Sequence, residues 1–261
     1  MTFPPVDRVL YDQNPIDGVI CQIRFPAILK VDSEPPAAFQ ERIRGHYPLY
    51  TFKTTTVHVP GLPPSLGEML AKEMPIGNRN AHEFQSKDAN WTLSLTRDFL
   101  ALTCQSYTRW EQFVERLGDA MSAFAETYSP AFYTRIGLRY RDVIRRTKLS
   151  LQDDCPWNEL LQPWIIGPLS TEIVPDVEHS FGELVVRLNA DGAKVRIQSG
   201  LVFATETNEQ CFLIDMDLFD DKQSEINDVT GRLDFLHQNA HAIFRWCVKD
   251  RLHHAMGPRG V

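Results

Sequence analysis

At 261 residues, with 43% hydrophobic and 23% charged side chains, the chain is long enough to bury a full core as one large domain or two intimate halves. Its formal charge of −7, from 34 acidic against 27 basic residues, disfavours general attraction to nucleic acid or an anionic membrane and leaves room only for a local basic patch. No run of about 18 apolar residues occurs, and the start, Met1 to Asp7, has neither the basic nor the apolar region of a signal peptide, so no membrane span or secretion is expected and a cytoplasmic protein is.

The cysteines at 21, 104, 155, 211 and 247 are widely separated and form no C-x-x-C pair. They read as reduced packing residues, with neither a disulfide framework nor a zinc ribbon behind them.

In chain order, Val19 to Phe25 alternates as a half-buried strand, with Val19, Cys21, Ile23 and Phe25 on one side and Ile20, Gln22 and Arg24 on the other. A short helix, A-A-F-Q-E-R-I-R, is expected after Pro35-Pro36, and Gly45 and Pro48 end it. Tyr50 to Val59, rich in β-branched and aromatic residues, predicts a strand. Ser65 with Glu68 fits a capping box for a helix reaching Met74. His82 to Lys87, Trp91 to Arg97 and Phe99 to Tyr107 then suggest a hairpin meander.

Thr108 and Glu111 form a second capping box, followed by Trp110, Phe113, Leu117, Met121, Phe124 and Tyr128 at spacings of three and four. This predicts a long amphipathic helix stopped by Ser129-Pro130. Tyr133 to Ile144 is the clearest strand, setting Ile136, Leu138 and Tyr140 against Arg135, Gly137, Arg139 and Arg141. Arg145 to Ser180, broken by four prolines, reads as a connection with one helical candidate capped by Asp154. Strands follow at Gly182 to Asn189, Ala193 to Ala204 and Cys211 to Phe219, the first two joined by an Asp191-Gly192 hairpin. A final helix is expected from about Asn227 to Met256, before Gly257-Pro258.

This order predicts an α+β fold: two similar halves, residues 1–130 and 131–261, each a curved antiparallel sheet packed by a long helix on one face. The other sheet face stays open. Within the sequence itself no repeat marks the duplication.

Four segments carry a resemblance: N-P-I-D-G-V-I-C-Q-I-R-F from Asn14, R-I-G-L-R-Y from Arg135, F-L-I-D-M-D-L-F from Phe212 and L-H-Q-N-A-H-A-I-F-R-W-C-V-K-D-R-L from Leu236. Together they resemble a sporadically distributed prokaryotic family of uncharacterised proteins of roughly this length. R-I-G-L-R-Y is the most specific piece, and the match is looser around Ile16-Asp17-Gly18 and near Val248. The resemblance implies no catalytic residues. A patchy distribution of that kind implies a horizontally moved accessory role, such as phage defence or a small biosynthetic cluster.

The residues most suited to function lie on the polar face of the expected sheet. Arg24, Arg135, Arg139, Arg141, Arg187 and Arg196, with Gln22 and Gln198, would share one surface. Arginine suits bidentate binding of phosphate or carboxylate, and Tyr107 or Tyr133 would stack a base. Asp215 and Asp217 belong to the same face and are expected to pair with Arg139 and Arg141, in preference to serving metal-assisted hydrolysis. His237 and His241, four apart on a helix, are half of a metal site, but H-Q-N-A-H lacks the glutamate of H-E-x-x-H. No metal and no cofactor are expected, since no P-loop, Rossmann glycine set, G-x-S-x-G or kinase signature is present. The leading expectation is a non-catalytic recognition protein with a protein partner or self-association. Nucleic-acid or nucleotide binding on the arginine face comes second, and a hydrolase third.

Overall fold

The computed structural model describes residues 3–55, 79–152, 154–171, 177–188 and 192–260. The expected Ser65 to Met74 helix, the end of the Tyr50 to Val59 strand and Asp191 of the hairpin lie outside the described residues.

Strand β1 (Val9–Tyr11) is followed by β2 (Ile16–Arg24), the short helices α1 (Lys30–Ser33) and α2 (Ala37–Ile43), and strands β3 (Leu49–Thr55), β4 (Arg79–Gln85), β5 (Trp91–Leu95) and β6 (Phe99–Cys104). Helix α3 (Trp110–Tyr128) leads into β7 (Arg135–Ile144), then the short helices α4 (Trp157–Leu160) and α5 (Pro163–Ile166). Next come β8 (Phe181–Arg187), β9 (Lys194–Phe203), β10 (Gln210–Asp220), α6 (Val229–Cys247), α7 (Asp250–Ala255) and β11 (Pro258–Gly260). Among the described residues, nine strands form one sheet in the order β3-β4-β5-β6-β2-β7-β10-β9-β8, and β1 pairs with β11 in a separate ribbon. Every pairing in the large sheet is antiparallel.

The strand that the alternation singled out, β7, lies between β2 and β10. Its register with β2 sets Val19 opposite Tyr140, Cys21 opposite Leu138 and Ile23 opposite Ile136. Because side chains alternate across a strand, these pairs share one face, and all six are at most 4% exposed. Ile20, Gln22 and Arg24 face Arg139, Gly137 and Arg135 on the other side. Helices α3 and α6 cover the apolar face: Phe113, Phe124, Leu236 and Ile243 are buried there, and Trp110 of α3 stacks on His237 of α6 at 4.2 Å. Each buried Phe, Leu or Ile contributes about 1.5–3 kcal/mol, so the apolar face is the main source of stability.

Helix α3 forms where its spacing predicts, but Thr108 does not cap it. The N-cap is Arg109, without a side-chain cap bond; Thr108 donates to Gln112 Oε1 at 3.0 Å, and Glu111 turns to Arg8. Ser129 ends the helix in the left-handed region, at φ 46°, and Pro130 forbids continuation. The expected single C-terminal helix is two. Val248 is extended, at ψ 145°, because residues 160–162 pair with the backbone there: Gln162 N donates to Cys247 O and Lys249 N to Leu160 O, each at 2.8 Å. The connection itself holds two α-helical turns, with Pro156 rather than Asp154 as the cap of α4. Arg146 fixes it, donating to Cys155 O at 2.8 Å and lying 3.7 Å over the Trp157 ring.

Candidate functional site

Opposite the helices, the sheet carries the predicted polar set on one face. The registers place Arg24 opposite Arg135, Arg139 opposite Asp217, Arg141 opposite Asp215, Arg196 opposite Asp217 and Gln198 opposite Asp215. Arg187, opposite Lys194 on the edge strand β8, has the same phase. The pairing follows diagonals rather than these opposed positions. Arg139 grips Asp215 with two bonds, Nε to Oδ1 at 2.7 Å and Nη2 to Oδ2 at 2.6 Å. Arg135 Nη2 reaches Asp217 at 3.1 Å and its Nε lies 3.4 Å from Asp221. Arg141 pairs with Asp17 instead of a β10 aspartate. The cause is local: the register of β2 shifts between Ile16 and Gly18, and a bulge of that kind swings its extra residue toward the neighbouring strand.

Between these pairs lies an open basin, lined by Gln22, Arg24, Arg135, Arg139, Arg196 and Phe219 among others. The carboxylates in it are not equivalent. Burial pushes the Asp217 carboxyl above the ordinary range, against the pull of Arg135 and Arg139. The Asp215 bond raises the Arg139 guanidinium pKa further. Arg135 reaches across the face because the position beneath it is glycine: a Cβ on Gly137 would lie 2.6 Å from Arg135 Nη1. Phe219 supports the guanidinium from the side at 4.8 Å.

Two glycines of this sheet therefore predict contrasting outcomes. Gly137→Ala is expected to displace the far end of the flexible Arg135 side chain and cost about 1 kcal/mol, the scale of one hydrogen bond. Gly200→Ala drives a Cβ into the Ser180 carbonyl oxygen and to 2.9 Å from Phe181 Cα, where only backbone can yield. A loss of more than about 2 kcal/mol is expected there. Urea unfolding of the two variants checks the order.

The remaining predicted residues are dispersed. Tyr107 and Tyr133 lie on the helix side, Tyr133 fully buried, so neither stacks a base on the arginine face. His237 Nδ1 is 2.9 Å from Tyr140 Oη, whereas His241 Nε2 meets the Asp7 carbonyl oxygen at 2.9 Å. The two rings are thus turned to different partners. Among the described residues, no group of three or more His, Cys, Asp or Glu side chains is placed to hold a metal ion.

A second cavity escaped the reading of periodicity. Residues 8–11 and 14–16 pass over the gap between α6 and β7 and roof a partly open recess. Its polar centre is Asp142, which is 2% exposed. Its aromatic wall includes Tyr11, Tyr107, Tyr140, His237 and Phe244. The Tyr107 ring meets that of Tyr140 edge-on at 5.8 Å, and the Tyr140 hydroxyl bonds to His237. Burial pushes the Asp142 carboxyl well above the ordinary range, with nearby Asp215 adding to the effect. Burial also holds His237 neutral, lowering it to about 3, with Arg8 and His241 contributing. At the rim Arg8 is held by Glu111 through two bonds of 2.5 and 3.2 Å. The sequence signal for this site was one residue: Asp142 occupies the core phase of β7, two after Tyr140 and two before Ile144.

No protein-family model matches the chain, and no curated protein matches it. No described helix is long and apolar enough to cross a membrane.

Proposed function

We propose that the protein is a non-catalytic recognition component, an accessory of a multi-component system such as phage defence or a small biosynthetic cluster, which binds a protein partner on its open sheet face. The observation that supports this is the bidentate Arg139 to Asp215 pair at the centre of that face. Cross-strand pairing holds charges of both signs at fixed positions. Such a pattern selects a surface of complementary pattern and rejects mismatched ones, which is how charge confers specificity between proteins. A polyanion would have to displace Asp215 and Asp217 from the same arginines.

The second reading, binding of nucleotide or nucleic acid, draws on the basin where Arg24, Arg135, Arg139 and Arg196 meet Phe219. A free phosphate group suits arginine forks, but the overall charge of −7 works against an extended polyanion. We also infer two similar halves, residues 1–130 and 131–261. Within the large sheet, the first strand of each half, β2 or β7, is central, the next, β3 or β8, is at an edge, and the chain returns inward, which supports that reading.

Affinity purification from native lysate separates the readings. A specific partner retained by the wild type and lost from Arg141→Glu, whose side chain is 48% exposed, is the expected result. Recovery of monomer without an enriched protein, together with a salt-dependent mobility shift on single-stranded or duplex nucleic acid, would favour the second reading instead.

A further inference from the structure

The recess beneath residues 8–11 and 14–16 contains a carboxyl group for which packing gives no reason. Asp142 Oδ2 is buried and has no hydrogen-bond partner, which costs on the order of 1–3 kcal/mol. A ligand group that bonds to it would recover that loss. The titratable groups that Asp142 influences, or that influence it, are Tyr11 from β1, Tyr140 on its own strand, Cys247 from α6 and Asp215 from β10. None of the described arginines or lysines acts on its carboxyl. The group is a buried acid lacking a counter-ion.

We propose that this recess binds a small organic ammonium ion, with Asp142 as its counter-ion and the rings of Tyr11, Tyr107 and Phe244 around it. Aromatic faces carry negative potential and attract cations, most strongly where water is excluded. The apolar walls suit the hydrocarbon part of such a ligand. The nearby bases do not oppose it, because Arg8 is paired with Glu111 and Arg245, which acts on Tyr11 and His241, with Asp250, while burial disfavours the charged forms of His237 and His241. A carboxylate ligand would meet the same ring faces with the wrong sign. An alcohol would accept one hydrogen bond and gain nothing from the rings.

The proton balance is explicit. Burial pushes the Asp142 carboxyl well above the ordinary range; where it holds its proton in the empty recess, binding passes that proton to solvent and the carboxylate pairs with the ammonium, which keeps all of its own protons. Affinity therefore rises with pH, by up to tenfold per unit, until Asp142 ionises in the free protein. The site lies across the sheet from the arginine face, so its test stands whatever binds there.

Calorimetric titration of the full chain with n-butylammonium, phenethylammonium and choline, beside 2-phenylethanol and 3-phenylpropionate, tests the proposal. At least one ammonium is expected to bind about tenfold or more tightly than the two phenyl controls, and more tightly at pH 8 than at pH 6. Buffers of different ionisation enthalpy should report proton release on binding. Asp142→Asn keeps the shape of the group, removes its charge, and should lose most of that affinity while still folding. Ala240→Met fills the recess from α6 and should lose it as well, with Asp142 intact. Failure of all three cations to bind, equal binding of the alcohol or the carboxylate, or affinity undiminished in Ala240→Met or in folded Asp142→Asn would overturn the assignment.

Discussion

Arg139→Ala is expected to lower the unfolding free energy by about 3 kcal/mol or more, the cost typical of breaking a buried ion pair from one side. The asymmetry of the pair decides this. The Asp215 side chain is 6% exposed and that of Arg139 34%. Without Arg139, the carboxylate stays in the sheet with no fork to satisfy it, and Arg135 is already committed to Asp217 and Asp221. Without Asp215, by contrast, the long arginine side chain turns toward water, so Asp215→Ala should cost about half as much. The double variant should cost less than the sum, because the second substitution removes a charge that the first stranded. Urea unfolding of the four proteins measures the cycle. A loss below about 1 kcal/mol for Arg139→Ala would mean that the pair behaves as a surface ion pair and that the face is less rigid than the proposed recognition role requires.

Legibility in the sequence followed the range of the interaction. Period two along β7 and β10 was enough to place Arg135, Arg139 and Arg141 on one face of their strand and Asp215 and Asp217 on one face of theirs, because alternation is imposed by the backbone of each strand alone. It was not enough to name the partners. Those depend on the extra residue at Asp17 and on the empty space above Gly137, neither of which a single strand reveals. The break at Val248 was hidden for a similar reason: helical periodicity continues through it, and the bonds that end α6 come from residues 160–162, far away in sequence. The recess needed the same long-range knowledge. An aspartate in a strand reads as polar surface until the helix over it is placed, and only then does Asp142 count as buried.

Acid should destabilise the protein through a residue that the metal reading treated as a ligand. An ordinary histidine takes up a proton near 6.5, but in the folded protein His237 resists until about 3, chiefly because burial disfavours its charged form. Between these values the unfolded chain binds a proton that the folded chain refuses, so unfolding becomes easier as pH falls. The contribution is complete above about 6.5 and drains toward 3, and about 3 kcal/mol is at stake once partial exposure of the ring is discounted. Asp142 acts in the opposite sense: its raised folded pKa favours the folded state below the ordinary carboxylate range, and that contribution is lost as pH rises through the folded value. The difference between wild type and His237→Phe isolates the histidine, since the carboxylates titrate in both. Phenylalanine preserves a flat ring against Trp110, now 4.2 Å from His237, and gives up only the Tyr140 bond. Urea midpoints followed from pH 7 to pH 4 should therefore converge or cross, with the wild type falling faster. Parallel curves would show that the imidazole charges freely in the folded protein, and the recess would then hold a cation of its own in mild acid, repelling the ligand proposed for it.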